Sequence, residues 1–246
     1  MQRLIIDCDP GHDDAIAILY AAKHLDLRAI TTVFGNASVA QTTRNALRIC
    51  ELAGLDIPVA AGFAGPLLGG FVSSPIHGET GLDGARHLPE PVRQPVSQHA
   101  VDRIIEEAGA APGSIAVVAI GPLTNVAVAL RKEPRLATWL HSISIMGGST
   151  DIGNETPFAE ANIFRDPEAA DIVFRSGAAL RMAGLNLTRQ ARIDRGVVAR
   201  LRGLGGDVRT ACAGILEFYP RPVRAAVSDA RCSHARSVRD PAFHPP

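Results

Sequence analysis

Short apolar runs alternate with amphipathic stretches along most of the chain, the rhythm of an α/β protein whose strands are separated by helices. Residues 3–8 (RLIIDC) read as a buried strand, and residues 13–23 as the following helix, with acidic side chains in its first turn where the dipole favours them. Residues 27–33 predict a second strand and residues 38–52 a second helix, with Ser38 placed to cap it. A third short strand begins at Val59, and residues 62–95 are so rich in Gly and Pro that they read as a long functional loop. Regularity returns with a helix over 97–108, a strand over 114–120, a helix over 123–131 and a strand over 142–146. A second loop over 148–165 precedes a helix at 167–174 and a strand near 178–182, and a turn at 203–207 precedes a last helix ending near residue 219. No segment repeats. One doubly wound, mostly parallel sheet is the expected architecture.

Composition narrows this picture. A chain of 246 residues, 46% hydrophobic and 20% charged, has material for an ample core. Its 25 basic and 25 acidic residues cancel, so bulk charge points neither to nucleic acid nor to a membrane surface. Four scattered cysteines (Cys8, Cys50, Cys212, Cys232) without a CxxC spacing, in a chain that opens on a strand and shows no signal peptide, read as reduced thiols of a cytoplasmic protein. No apolar run is long enough to span a bilayer. Lys23 and Lys132 are the only lysines, which with the abundance of Ala, Gly and Pro speaks for a GC-rich gene.

In sheets of this kind ligands bind outside the carboxyl ends of the strands. Four chemically loaded segments fall there: residues 7–14, 34–36, 120–125 and 146–162. The first, DCDPGHDD, places Asp7, Asp9, Asp13 and Asp14 around a Pro-Gly turn between strand and helix. Carboxylates so crowded repel one another unless a cation or polar ligand holds them, and hard oxygen donors suit Ca²⁺ or Mg²⁺ better than zinc. The bland alternative is a solvated acidic turn with capping aspartates. An aspartyl phosphatase of the haloacid dehalogenase type also opens on strand-DxD, but this chain follows it with Pro10-Gly11-His12 and has no suitably placed lysine. Other motif residues have plain readings too: Asn125 as a turn or cap residue, Asn154 in a left-handed turn after Gly153, His77 as a surface loop histidine and Trp139 as packing.

The stretch DCDPGHDDAIAI resembles the N-terminal signature of the calcium-dependent, inosine-uridine preferring nucleoside hydrolases. The segments that follow agree in order: Thr31 to Asn36, the HGETGLDG loop from His77, the GPLTN turn from Gly121, Met146-Gly147-Gly148, Gly153-Asn154 and Ala159-Glu160-Ala161-Asn162. The resemblance implies a Rossmann-like fold and cleavage of the N-glycosidic bond of a ribonucleoside. It implies that Asp9, Asp14 and the carbonyl of Ile120 ligate Ca²⁺, and that Asp9 takes the proton of a Ca²⁺-bound water. It further places Asp13, Asn36 and Asn162 at the 2′ and 3′ hydroxyls, Asn154 and Glu160 at the 5′ end, Met146 beside the sugar and His77 near the base. Ala161 stands where the family has an aromatic residue. Homodimers or homotetramers are the family's usual assemblies.

The resemblance covers residues 3–219; the family continues with a His-Asp pair that supplies a further calcium and ribose ligand. Residues 220–246 instead carry five prolines and five arginines with no period and no such pair, so they read as a divergent tail. Asp229 to Cys232 can be encoded GAT GCA CGA TGC, which read one nucleotide later gives Met-His-Asp-Ala, so the tail is expected to be an out-of-frame translation. The competing expectation is therefore a catalytically inactive nucleoside- or ribose-binding protein.

Overall fold

A computed structural model describes residues 1–70, 77–78, 80–85, 88–191 and 193–218. The predicted tail therefore lies outside the described residues. In chain order the elements are β1 (Arg3–Cys8), α1 (His12–His24), β2 (Asp26–Thr32), α2 (Val39–Leu52), β3 (Val59–Ala61), α3 (Ala100–Ala110), β4 (Ile115–Ala119) and α4 (Thr124–Lys132). There follow α5 (Leu136–Trp139), β5 (Leu140–Met146), α6 (Ala161–Arg165), α7 (Pro167–Phe174), β6 (Leu180–Ala183), α8 (Leu185–Thr188), α9 (Arg195–Gly203) and α10 (Asp207–Phe218).

The six strands form one sheet in the order β3-β2-β1-β4-β5-β6, and every neighbouring pair is parallel. The order reverses between β1 and β4, the topological switch point at which doubly wound sheets leave a crevice. Register holds the carboxyl ends level across that point: Asp7 pairs with Thr31 of β2 and Ala119 of β4, and Ala119 pairs with Ile145 of β5.

Both faces are covered at the centre of the sheet, which is why β1 and β4 read as apolar runs. Ile5, Val117, Ala119, Ile143 and Ile145 pack with α3, α4, α5 and α7 on one face. Leu4, Ile6 and Cys8 point the other way, into a second core shared with α1, α2 and α10. Side chains alternating along β1 thus feed two separate cores. Ser38 caps α2 as expected, its hydroxyl accepting from the Gln41 N–H at 3.3 Å. The stretch expected as loop over 148–165 closes with α6, a helix of five residues too short to display a period.

Candidate active site

At the switch point the chain delivers its acidic residues from β1 and the turn after it. Asp7, Asp9 and Asp14 are all buried. Asp7 Oδ1 accepts from the Thr31 hydroxyl at 2.6 Å and from Asn125 Nδ2 at 2.8 Å. Asp9 Oδ2 accepts from the Asn36 N–H at 2.7 Å, and Asp14 Oδ2 from the Gly11 N–H at 2.9 Å. Each of the three keeps one oxygen, Asp7 Oδ2, Asp9 Oδ1 and Asp14 Oδ1, buried and without a hydrogen-bond partner. Burial lifts the Asp7 carboxyl to about 6 against the two hydrogen bonds it accepts. Burial first, and the charge of Asp14 next, push Asp9 well above the usual carboxylate range. Asp14 is raised in the same way by burial and by Asp13. Orphaned, mutually repelling oxygens of this kind are the donor set a hard cation neutralises.

Two glycines make room for Asp9. A Cβ on Gly35, whose φ is +153°, would lie 2.0 Å from Asp9 Oδ2, and one on Gly121 would lie 2.7 Å from Oδ1. The carboxylate is held between the ends of β2 and β4, where only hydrogen-bearing Cα atoms fit. Asn36 joins the group from the β2 side, its Nδ2 donating to the Asp9 carbonyl at 3.0 Å. Among the described residues no three His, Cys, Asp or Glu side chains cluster as a metal site by themselves.

The far wall comes from β5 and α6. Asn162 Nδ2 donates to the carbonyls of Ile120 and Met146, at 3.0 and 3.1 Å, and lies 3.5 Å from Met146 Sδ. Glu160 caps α6: its Oε2 accepts from the N–H groups of Gly148, Asn162 and Ile163 at 3.0, 3.0 and 3.2 Å. Burial still raises the pKa of Glu160 above the ordinary carboxylate value against those bonds. Asn154 lies on the exposed loop before α6 and accepts from the Ala161 N–H at 2.9 Å. It does not occupy a left-handed turn, since no described residue other than glycine has a positive φ.

His77 is buried, not a surface histidine; its ring stacks on that of His12, centroids 5.1 Å apart, with the two Nδ1 atoms at 2.9 Å. His12 Nε2 in turn sits 2.7 Å from the Asp83 carbonyl, and Phe218 stacks on the other face of His12. Burial lowers His77 to about 4 and lowers His12 as well. Asp13, by contrast, is exposed at the rim and is not part of the buried acidic group.

Two residues passed over in the sequence, and Asn125, read there as a turn or cap residue, matter here. Asn125 is neither cap nor turn: it is fully buried, donates to Asp7 and to the Thr32 carbonyl, and accepts from the Phe63 N–H at 3.0 Å. Asp166 accepts from Thr124 Oγ1 at 2.5 Å, the Leu67 N–H at 3.0 Å and, as the cap of α7, the Ala169 N–H at 3.0 Å. Arg165 carries a guanidinium whose charge opposes the elevation of Asp9 that burial and Asp14 cause. The Asp-Pro step before α7 is a capping signal that sequence alone offers for Asp166, and the GPLTN turn marks Asn125; nothing comparable marks Arg165.

Comparison with known proteins agrees with this geometry. The family described as inosine-uridine preferring nucleoside hydrolase matches residues 4–242. The pyrimidine-specific ribonucleoside hydrolase RihB of Escherichia coli (strain K12) is 46% identical over 220 residues, 88% of this chain and 70% of its own. A plant nucleoside hydrolase superposes with a TM-score of 0.86 at 38% identity, over 92% of this chain and 73% of its own. A purine-preferring ribonucleoside hydrolase from Gardnerella vaginalis gives 0.85 at 36% identity, over 89% and 72%. Sequence and backbone thus lead to one family across nearly the whole length, and the chain belongs to the inosine-uridine preferring nucleoside hydrolases and is a nucleoside hydrolase.

Proposed function

We propose that this enzyme cleaves its ribonucleoside in the crevice at the switch point, with Asp9, Asp14 and the carbonyl of Ile120 holding Ca²⁺ and with Asp9 as the base. The observation that carries the reading is the pair of buried, partnerless oxygens on Asp9 and Asp14. Two such oxygens beside a main-chain carbonyl are the hard donors that Ca²⁺ takes. When bound, the ion supplies positive charge that acidifies water.

The Asn36 N–H fixes the Asp9 carboxylate through Oδ2, and that carboxylate receives the proton of the attacking water. As the water oxygen bonds to C1′, the C1′–N bond breaks, and the base leaves with the electron pair and takes up a proton. Positive charge grows on the sugar ring, and the surrounding carboxylates and amide oxygens stabilise it. Asp13, Asn36 and Asn162 take the 2′ and 3′ hydroxyls, Asn154 and Glu160 the 5′ end, Met146 packs on the sugar, and His77 lies at the base. Relatives with different base preferences share the fold, so uridine and inosine are both substrates to try. Among the described residues no helix is long and apolar enough to cross a membrane, and the described thiols are free, which supports a reducing, cytoplasmic setting for a homodimer or homotetramer.

The test is release of base from uridine and inosine with Ca²⁺ and with chelator. Chelator-sensitive release is the expected result. A folded protein that binds Ca²⁺ and nucleoside yet releases no base overturns the catalytic reading in favour of a binding protein.

A further inference from the structure

Arg165 is out of place as a helix-terminal cation. It stands in the last turn of α6, where a basic residue ordinarily reaches into solvent, yet its side chain keeps only 8% of its exposure. Its nearest acidic group is Glu155, at 4.0 Å, too far for a hydrogen bond. Among the described residues the guanidinium makes no hydrogen bond at all, leaving five N–H donors unspent. None of its nitrogens is among the sealed, partnerless atoms, so they retain access to solvent. Three separate segments feel its charge: it opposes the burial-driven rise of Asp9 and of Glu160 and adds to the burial-driven fall of His77. The guanidinium is thus recessed beside the loop that leads into α6, on the helix that carries Asn162 and is capped by Glu160.

A planar fork of unspent donors in a recessed site is matched by a phosphate, which accepts two parallel hydrogen bonds. The neighbouring residues say where along the substrate that phosphate sits. Glu155 follows Asn154, and Glu160 opens the helix that Arg165 closes, both residues assigned above to the 5′ end. We propose that Arg165 lets this site take ribonucleoside 5′-monophosphates as well as ribonucleosides, pairing with the 5′-phosphate in place of Glu155. The inference rests on the active-site reading above. The chemistry is unchanged: water adds to C1′, the C1′–N bond breaks, the base leaves with a proton, and the second product is ribose 5-phosphate.

Binding of uridine, uridine 5′-monophosphate and inorganic phosphate is measured by calorimetry with Ca²⁺ present, for wild type, Arg165→Ala and Arg165→Lys, alongside release of ribose 5-phosphate. In wild type the monophosphate binds at least as tightly as uridine. The ratio of monophosphate to uridine affinity falls at least tenfold in Arg165→Ala and by less in Arg165→Lys, which keeps the charge without the fork. Uridine binding without monophosphate binding overturns the proposal alone, as does an equal loss of both ligands in Arg165→Ala. Arg165-dependent binding of inorganic phosphate without the nucleotide also overturns it. Binding of neither nucleoside nor nucleotide by a folded protein overturns the active-site reading and this proposal together.

Discussion

Replacing Asp166 by alanine removes one carboxylate that three donors share. The Ala169 N–H loses its helix cap, a loss worth about 1 kcal/mol. The Thr124 hydroxyl and the Leu67 N–H, bonded at 2.5 and 3.0 Å, lose their acceptor in a site where Thr124 and Asp166 are fully buried. Each orphaned donor costs about 1–2 kcal/mol, so the variant should lose about 3–5 kcal/mol, a large part of a domain's usual margin. Urea unfolding followed by circular dichroism measures that loss directly. Asp166→Asn keeps an acceptor for the cap while turning an amide towards the other donors, and should lose about half as much. A double-mutant cycle with Thr124→Val should return a coupling of about 1–2 kcal/mol. A loss below about 1 kcal/mol in Asp166→Ala, or strict additivity with Thr124→Val, would show that this carboxylate does not bind the β4 turn to the α6–α7 junction.

Three further outcomes follow from the site. Gly35→Ala, whose new Cβ would sit 2.0 Å from Asp9 Oδ2, should weaken Ca²⁺ binding and base release at least about tenfold while the circular dichroism spectrum stays native; unchanged Ca²⁺ affinity by calorimetry counts against the cradle. Ca²⁺ at about a hundred times its dissociation constant should stabilise the fold by about 2.7 kcal/mol, raising the melting temperature by roughly 5–10 °C, and chelator should reverse the rise. Burial holds His77 at about 4 in the fold, below the 6.5 of a free histidine, so the unfolded chain binds the extra proton. Its contribution is therefore full above pH 6.5 and is lost as pH falls towards about 4, worth up to about 3 kcal/mol, so His77→Gln should show a flatter loss of stability over that interval in acid-titrated urea melts.

The central strands were the most legible, because β1 and β4 are apolar runs covered on both faces, whereas β6 at the sheet's edge reads LRMA and buries none of its residues. The acidic turn was legible because four carboxylates around Pro10-Gly11 have few structural uses. What escaped was short or lacked a stripe. The helices α5, α6 and α8 span at most five residues, and α9 buries none of its residues, so no period of 3.6 marks them. Asn125 and Arg165 escaped for another reason. Their surroundings are assembled from distant segments: Asn125 meets Asp7, 118 positions away, and Phe63, 62 away. No local pattern encodes such a meeting.

The strand order also sets a timetable for synthesis. β1 is made first but pairs on one side with β4, which begins 107 positions after β1 ends, at Ile115 against Cys8. At about 5–20 residues per second the ribosome takes roughly 5–20 s to supply that partner. Throughout that interval one edge of the RLIIDC strand, one of the two central strands of the sheet, is an open template for pairing with another chain.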